Sequence, residues 1–474
     1  MSGPLLEESH ELAVIGAGPA GMAAAIAAAE LGLDAVVLDE QATPGGQIYR
    51  SISETPLRDP AILGGAYWRG AALVEAFRAG AARYVPQATV WHLSREGEIG
   101  VSVGGSVRML RAQRVILATG ALERPFPIQG WTLPGVMTAG AAQILLKSAG
   151  MVGSGSVVLA GTGPLLWLLA AQYLRAGGTF AAILETTPRS NLAPSLRLLP
   201  SFLRSSYFRE GLDLVAEVRR RAKLIHSVIA LRADGGDRLA DVTYRTRGGL
   251  EVTLRADTLL LHQGVVPNVN LAIAVGCRHV WHEPQLCFVP ALDTWGQSSV
   301  EKVAIAGDGA GIAGAIAAEQ RGRLAALDAA HRLGRIDATT RERMAAPHAD
   351  ALRQVQRGRR FLDRLFQPAK RFRLPRGETL VCRCEEVTAR QIRDAAALER
   401  IGPNQLKAFL RCGMGPCQGR LCGLTVTEML ADAHGLSPDE VGYYRLRPPV
   451  KPITVGELAS LPKTAADIAA VDRS

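Results

Sequence analysis

Five of the seven cysteines fall in one late segment: Cys382 and Cys384, then Cys412 and Cys417, then Cys422. Two close pairs, joined by a helix-forming stretch from Ala389 to Leu398, can converge four thiolates on one small inorganic centre. The expected ligands are Cys382, Cys384, Cys412 and Cys417. Structural zinc usually takes pairs spaced by two to four residues, and Cys-x-Cys is tighter than that. Gly413 and Gly415 free backbone amides to point at sulfide, a need that is greater for an iron-sulfur cluster than for zinc. Both metals stay open on the residues alone. Cys422 is a spare, for which packing is expected. Cys277 and Cys287 are too widely spaced for a Cys-x-x-Cys pair and read as small buried apolar groups.

A second kind of chemistry lies at the other end of the chain. The apolar run Leu12 to Ile15 leads into Gly16-Ala17-Gly18-Pro19-Ala20-Gly21, an alanine-rich helical stretch, and a second apolar run, Ala35 to Leu38, that ends at Asp39-Glu40. This is the strand, glycine turn, helix and strand of a dinucleotide fold. Gly16 permits the turn, Gly18 lets the backbone approach a pyrophosphate at the helix N-terminus, and Gly21 lets helix and strand pack closely. Asp39 stands where a carboxylate accepts from an adenosine ribose, and Glu40 is the less favoured candidate. A second copy runs through Gly161-Thr162-Gly163 and ends at Glu185, but its third glycine position holds Leu166. A bulky side chain there holds helix from strand. Gly161, Gly163 and Glu185 therefore bind NAD(P), bind another adenine nucleotide, or belong to a Rossmann-like domain without ligand.

Three further turns follow apolar runs: Ala118-Thr119-Gly120, His262-Gln263-Gly264 and Gly307-Asp308-Gly309-Ala310-Gly311. In this order the elements resemble the flavoprotein family with two dinucleotide-binding domains, the large group containing glutathione reductase and thioredoxin reductase, over roughly residues 10 to 345. The resemblance implies FAD on the first domain, a second domain inserted after Gly120, and a return that sets Gly307 and Asp308 near the flavin's ribityl and phosphate groups. The family's disulfide reductases carry a redox cysteine pair, which is missing after Gly45-Gly46-Gln47-Ile48-Tyr49-Arg50. A dithiol reductase is therefore not expected, although Gly46 and Gln47 still count as FAD contacts.

The cysteine segment resembles the ferredoxin-like domain of bacterioferritin-associated ferredoxin, which implies a 2Fe-2S cluster. Taken with the Gly-Gly-Gln-Ile-Tyr-Arg and His-Gln-Gly motifs, nearly the whole chain resembles the FAD-containing larger subunit of heteromeric bacterial amine dehydrogenases. These include opine oxidases, hydroxyproline or proline dehydrogenases and hydrogen cyanide synthase. The resemblance implies a D-amino-acid-oxidase-like partner subunit that takes hydride from the carbon next to a secondary amine. This chain would receive the electrons. Optional further parts are an interface FMN and a small ferredoxin-like subunit. Two readings compete: a self-contained NAD(P)H-dependent flavin reductase that feeds its own cluster, and a zinc-stapled scaffold.

The fold class that positions these groups is α/β, with two Rossmann-like dinucleotide-binding domains, one inserted in the other, followed by a small helical 2Fe-2S domain. The expected divisions are 1–125 and 276–345 for the FAD domain, 126–275 for the insert, 346–377 for a connector, 378–445 for the cysteine domain and 446–474 for a tail. With 48% hydrophobic and 21% charged residues, the chain of 474 is a folded one, and 5% aromatics argue against a single-stranded nucleic-acid platform. The net charge of +10 permits an acidic partner or a membrane surface without identifying one. A start without signal-peptide character points to the cytoplasm, with peripheral attachment to the inner membrane left open. The charge-free run Val157 to Leu174 approaches the length of a membrane span, but Gly161-Thr162-Gly163-Pro164 interrupts it. Residues 351–376 hold nine basic residues and one acid, Asp363, and read as a solvated connector in preference to a docking strip. Pro448, Pro449 and Pro452 mark a tail of little helix propensity that runs over a neighbouring surface. His262 reads as a satisfied structural histidine.

Overall fold

The computed structural model describes residues 8–461 and 463, apart from 250 and 400. Strand β1 (Ser9–Ile15) is followed by helix α1 (Pro19–Glu30) and β2 (Ala35–Leu38), then by β3 (Arg83–Val85), β4 (Thr89–Leu93), β5 (Glu98–Val103) and the long β6 (Ser106–Leu117). They form one sheet in the order β3-β2-β1-β6-β5-β4, in which β1 runs parallel to β2 and β6. The C-terminal halves of its central strands, Leu12 to Ile15 and Val115 to Leu117, are continuously apolar because both faces are covered there.

The inserted domain begins with β7 (Val136–Thr138) and α2 (Ala139–Ala149), and continues through β8 (Val157–Thr162), α3 (Pro164–Arg175), β9 (Ala182–Glu185), β10 (Leu224–Ile225) and β11 (Thr258–Gln263). These strands make a parallel sheet in the order β10-β9-β8-β11-β7. The charge-free run is thus a strand, a turn and a buried helix, and no helix among the described residues is long and apolar enough to cross a membrane.

The chain crosses between the domains twice, and the crossings Ala121–Glu123 and Val265–Pro267 pair antiparallel. The return crossing precedes the expected boundary at 275, since Leu271, Ala272 and Val275 join the core of the first domain. Strand β12 (Val303–Ile305) then pairs with β6, and α4 (Ala315–Arg332) lies against α1. Alanines on α1 make that contact close. A Cβ on Gly322 would stand 2.1 Å from the Ala20 carbonyl oxygen.

The basic stretch is not a solvated connector. It carries the end of α5 (Ala338–Val355), helix α6 (Arg359–Leu365) and a further turn of helix at Lys370–Arg373. Phe361 stacks on Phe202 at 4.2 Å, Phe372 meets Phe126 edge-on at 5.2 Å, and Gln367 donates to the Glu283 and Pro284 carbonyls. The charge count hid an aromatic and leucine pattern that docks the segment, with its arginines facing outward or paired. Asp363 is the exception to its basic surroundings: it accepts from Arg359 at 2.8 Å, and burial raises its pKa.

The cysteine domain opens with a hairpin of Leu380–Cys382 and Val387–Thr388. The predicted helix Ala389–Leu398 follows, started by a Thr388/Gln391 capping box, and α7 (Gly423–His434) closes the domain. The tail crosses the FAD domain as expected: the Val450 amide donates to the Trp91 carbonyl at 2.9 Å, and Ser102 donates to Glu457. It is not free of helix, however. Thr454 and Glu457 form a capping box that starts Val455–Ala459.

Candidate cofactor sites

The glycines of the first turn divide their work. A Cβ on Gly16, whose φ is +106°, would stand 2.5 Å from the Ala118 carbonyl oxygen, and one on Gly21 would stand 1.8 Å from that of Gly16. These two positions are required by the protein's own packing. A Cβ on Gly18 would meet only the Gly46 Cα, at 3.7 Å, so the protein leaves that space open. Gly18 is the N-cap of α1, and Pro19 and Ala20 begin its first turn. Two facing backbones without side chains, at the positive end of a buried helix, fit a pyrophosphate.

Asp39 is 7% exposed and accepts from the Ala17 amide and, at 2.7 Å, from the Gln41 amide. It fixes the turn as well as offering a carboxylate to a ribose. Burial raises its pKa against the pull of those two amides. Glu40 is solvent-exposed and paired with Lys451 of the tail, so the two acids separate into a cofactor position and a docking position. Asp39→Ala strands the Ala17 amide, and FAD affinity is expected to fall by about 1–3 kcal/mol, read by titration of the apoprotein.

Ala118, Thr119 and Gly120 lie where the chain leaves β6. The Thr119 hydroxyl donates to the Asn268 carbonyl at 3.3 Å, and the Asn268 amide donates to Gly120 at 3.0 Å. Past Gly307, Asp308 accepts from the Ala313 and Gly314 amides at 2.8 and 3.0 Å and so shapes the entry to α4. Gln285 braces the same loop by accepting from the Ile312 amide at 3.1 Å and donating to its carbonyl at 2.8 Å. Sequence reading missed Gln285, since nothing near it signals a loop twenty-odd residues away.

It also missed Lys147. This side chain of α2 is 1% exposed, and its Nζ lies 3.1, 3.0 and 3.0 Å from the Gln47 and Ile48 carbonyls and the Gln143 Oε1. It ties the inserted domain to the loop after Gly45-Gly46. A lysine that is the one charged residue of its helix was the available signal. Burial, and then Arg50, lower its pKa to about 7 from 10.5. Between those values the unfolded chain keeps a proton that the folded chain sheds, so stability rises with pH across that window. Lys147→Met is expected to flatten this slope in denaturant titrations at several pH values. It also strands three oxygens and lowers stability by about 3 kcal/mol.

The second glycine turn differs. A Cβ on Gly161 would stand 1.6 Å from the His262 carbonyl oxygen, and one on Gly163 would stand 3.2 Å from the His262 Nε2. His262 is buried and bonded through Nδ1 to Glu123 at 2.7 Å, while Glu123 also accepts from the Gly140 amide at 2.8 Å. The imidazole thus packs against the turn that would receive a phosphate. Glu185 accepts from the Thr187 amide at 3.2 Å and faces His226 at 3.3 Å, and Leu166 is fully buried.

In the cysteine domain the sulfurs of Cys382, Cys412 and Cys422 lie within 4.8 Å of one another, all buried. Within this trio the contacts with Cys412 and Cys422 lower the pKa of the Cys382 thiol and raise those of its two neighbours. Cys384 and Cys417 form a separate, half-buried contact, in which the Cys417 amide and thiol both reach the Cys384 sulfur. The expected packing role of Cys422 therefore does not separate it from the other thiols. Gly415 allows this closeness, since a Cβ there would stand 2.2 Å from the Cys384 Cβ. Cys277 and Cys287 are buried elsewhere, and burial pushes the Cys287 thiol up to about 12, in keeping with apolar packing.

Residues 10–333 match the family model described as pyridine nucleotide-disulphide oxidoreductase, and residues 376–461 match the sarcosine oxidase A3 domain. An opine oxidase subunit of Rhizobium meliloti is 48% identical over 98% of this chain and 90% of its own length. The chain belongs to the pyridine nucleotide-disulphide oxidoreductase family, among the flavoprotein subunits typified by that of opine oxidase. Hydrogen cyanide synthase subunit HcnB of Pseudomonas aeruginosa is 33% identical over 94% of this chain and 98% of its own. The solved L-proline dehydrogenase from P. horikoshii shares the fold, with a TM-score of 0.70 at 18% identity over 95% of this chain and 79% of that one. This family member is a FAD-dependent oxidoreductase. FAD supplies a carrier that takes up two electrons together and can release them singly.

Proposed function

We propose that this chain is the electron-transferring subunit of a heteromeric dehydrogenase or oxidase that works on a secondary amine of the opine, hydroxyproline or proline class. The amine is oxidised on a partner subunit resembling D-amino-acid oxidase. In this chain Gly16, Gly18, Gly46 and Asp39 hold FAD, and the thiols of the cysteine domain hold a 2Fe-2S centre.

One observation carries this reading: a bonded path links the two sites. Gly120 accepts from the Asn268 amide at 3.0 Å, and two residues on, the Asn270 side chain donates to the Gln418 carbonyl at 2.8 Å, beside Cys417. Ile273 and Ala274 then pack on the core of the cysteine domain. These contacts tie the turn at the end of β6 to the loop that carries Cys417, which supports single-electron passage between the two sites. A mobile, separately tethered domain would not need this contact. Entry of electrons from a nicotinamide is disfavoured by Leu166 and by the His262 ring against Gly163. The inserted domain then acts as a frame or holds another adenine nucleotide.

Anaerobic purification of the native chain tests the proposal. It is expected to yield FAD, iron and acid-labile sulfide, with two irons and two sulfides for each FAD, and a second flavoprotein chain. Zinc without sulfide, or a chain that purifies alone with full amine-oxidising activity, would overturn it.

A further inference from the structure

Helix α7 of the cysteine domain meets the two crossings with one face. Leu424 and Glu428, four residues apart on that helix, are both buried. Leu424 clusters with Val266 of the return crossing and with Cys287, and Leu122 of the first crossing packs against them. Glu428 accepts from Arg373 and stands 3.9 Å from the Arg124 Nη1, with the side chains of Arg124 and Glu428 each 4% exposed.

Arg124 directly follows the first crossing and binds several elements at once. Its amide donates to the Gly264 carbonyl at 3.0 Å, and its Nη2 donates to the Gln285 and Leu286 carbonyls at 2.8 Å each. Arg373 belongs to the docked connector, where its Nε donates to the Pro368 carbonyl at 3.3 Å. Both guanidiniums stay charged near neutral pH, since burial lowers their pKa values only to about 10 from 12.5. The Arg124 Nη1 makes no hydrogen bond among the described residues, so its buried charge depends on the Glu428 carboxylate. One acid of the cysteine domain thus answers two cations, from the crossing and from the connector. Deleting one member of such a buried cluster leaves the others charged and out of water, which is strongly destabilising at that contact.

We infer that Glu428 is a positioning residue, which by holding Arg124 and Arg373 together seats α7 on the crossings and so fixes where the cysteine domain lies relative to the FAD domain. Its consequence for electron passage rests on the function proposed above, whereas the seating itself does not.

The test compares Glu428→Ala and Glu428→Gln in the full chain with its partner. Two readouts decide: hydrogen exchange followed by mass spectrometry, and the rate at which light-reduced FAD passes one electron to the oxidised iron-sulfur centre. FAD, iron and acid-labile sulfide per chain are the loading controls. Glu428→Ala is expected to keep all three, to speed exchange at least about tenfold in peptides from α7 and both crossings, and to slow electron passage at least about tenfold. Glu428→Gln keeps the shape and an acceptor but not the charge, and is expected to change both at least about threefold. Unchanged exchange in Glu428→Ala would overturn the seating, and faster exchange with unchanged electron passage would overturn the positioning role. Should Glu428→Ala fold poorly or lose a cofactor, Glu428→Gln decides by the same two readouts. Zinc without sulfide in the unsubstituted protein fails the electron-transfer reading instead, and hydrogen exchange alone then decides for or against Glu428.

Discussion

The isolated chain, loaded with FAD and reducible by dithionite, is expected to stay oxidised when offered NADH, NADPH or a panel of secondary amino acids, and to be reduced only once its partner flavoprotein is added. The difference expected is at least about 100-fold in the rate of flavin reduction, or roughly 3 kcal/mol in activation free energy. The reason lies in the second glycine turn. A nicotinamide dinucleotide needs close backbone approach at Gly163, and the His262 Nε2 stands 3.2 Å from where a Cβ would be. His262 cannot swing away cheaply, because Glu123 holds its other nitrogen and the crossing strand behind it. Leu166, fully buried on α3, occupies the place where helix-to-strand packing at a dinucleotide turn wants a small residue. Stopped-flow absorbance of the isolated chain with micromolar NADH checks this. Fast bleaching would instead make the chain a self-contained reductase.

Much of the first site was legible because each glycine answers to a local backbone requirement. Gly16 and Gly21 are demanded by contacts within a few residues and one neighbouring strand, and such short-range constraints leave a fixed spacing in the sequence. The helix Ala389–Leu398 was legible for a similar reason, since its capping box lies at its own start. What stayed hidden depends on distant partners. Lys147 is buried only because the inserted domain docks on the loop at Gln47, and Gln285 acts on Ile312 through a side chain that sequence periodicity does not mark. The connector's charge dominated its composition, while Phe361 and Phe372 determined where it packs. Pair spacing set Cys422 aside as a spare, and only folding gathered it with Cys382 and Cys412 into one buried trio, with the Tyr444 hydroxyl against two of the three sulfurs.

The division among the first-turn glycines gives a contrast that a purely structural turn would not show. Gly18→Val adds its side chain where the protein has only the Gly46 Cα at 3.7 Å, and the backbone at Gly18, with φ near −76°, suits a branched residue. The apoprotein is therefore expected to melt within a few degrees of the unsubstituted apoprotein. The added methyls fill the space that a pyrophosphate would take, so FAD affinity is expected to fall by at least about 4 kcal/mol, near a thousandfold. Gly21→Ala does the reverse. Its Cβ would stand 1.8 Å from the Gly16 carbonyl oxygen, so α1 must move off β1, and overpacking of this kind costs about 1–3 kcal/mol or more before any cofactor is considered. Both variants lose FAD, but only Gly21→Ala lowers the melting temperature of the apoprotein. The measurement is the ratio of FAD to protein after gel filtration, paired with calorimetry of the cofactor-free forms. Stoichiometric FAD on Gly18→Val would show that the crevice between Gly18 and Gly46 is not where the cofactor's phosphates lie.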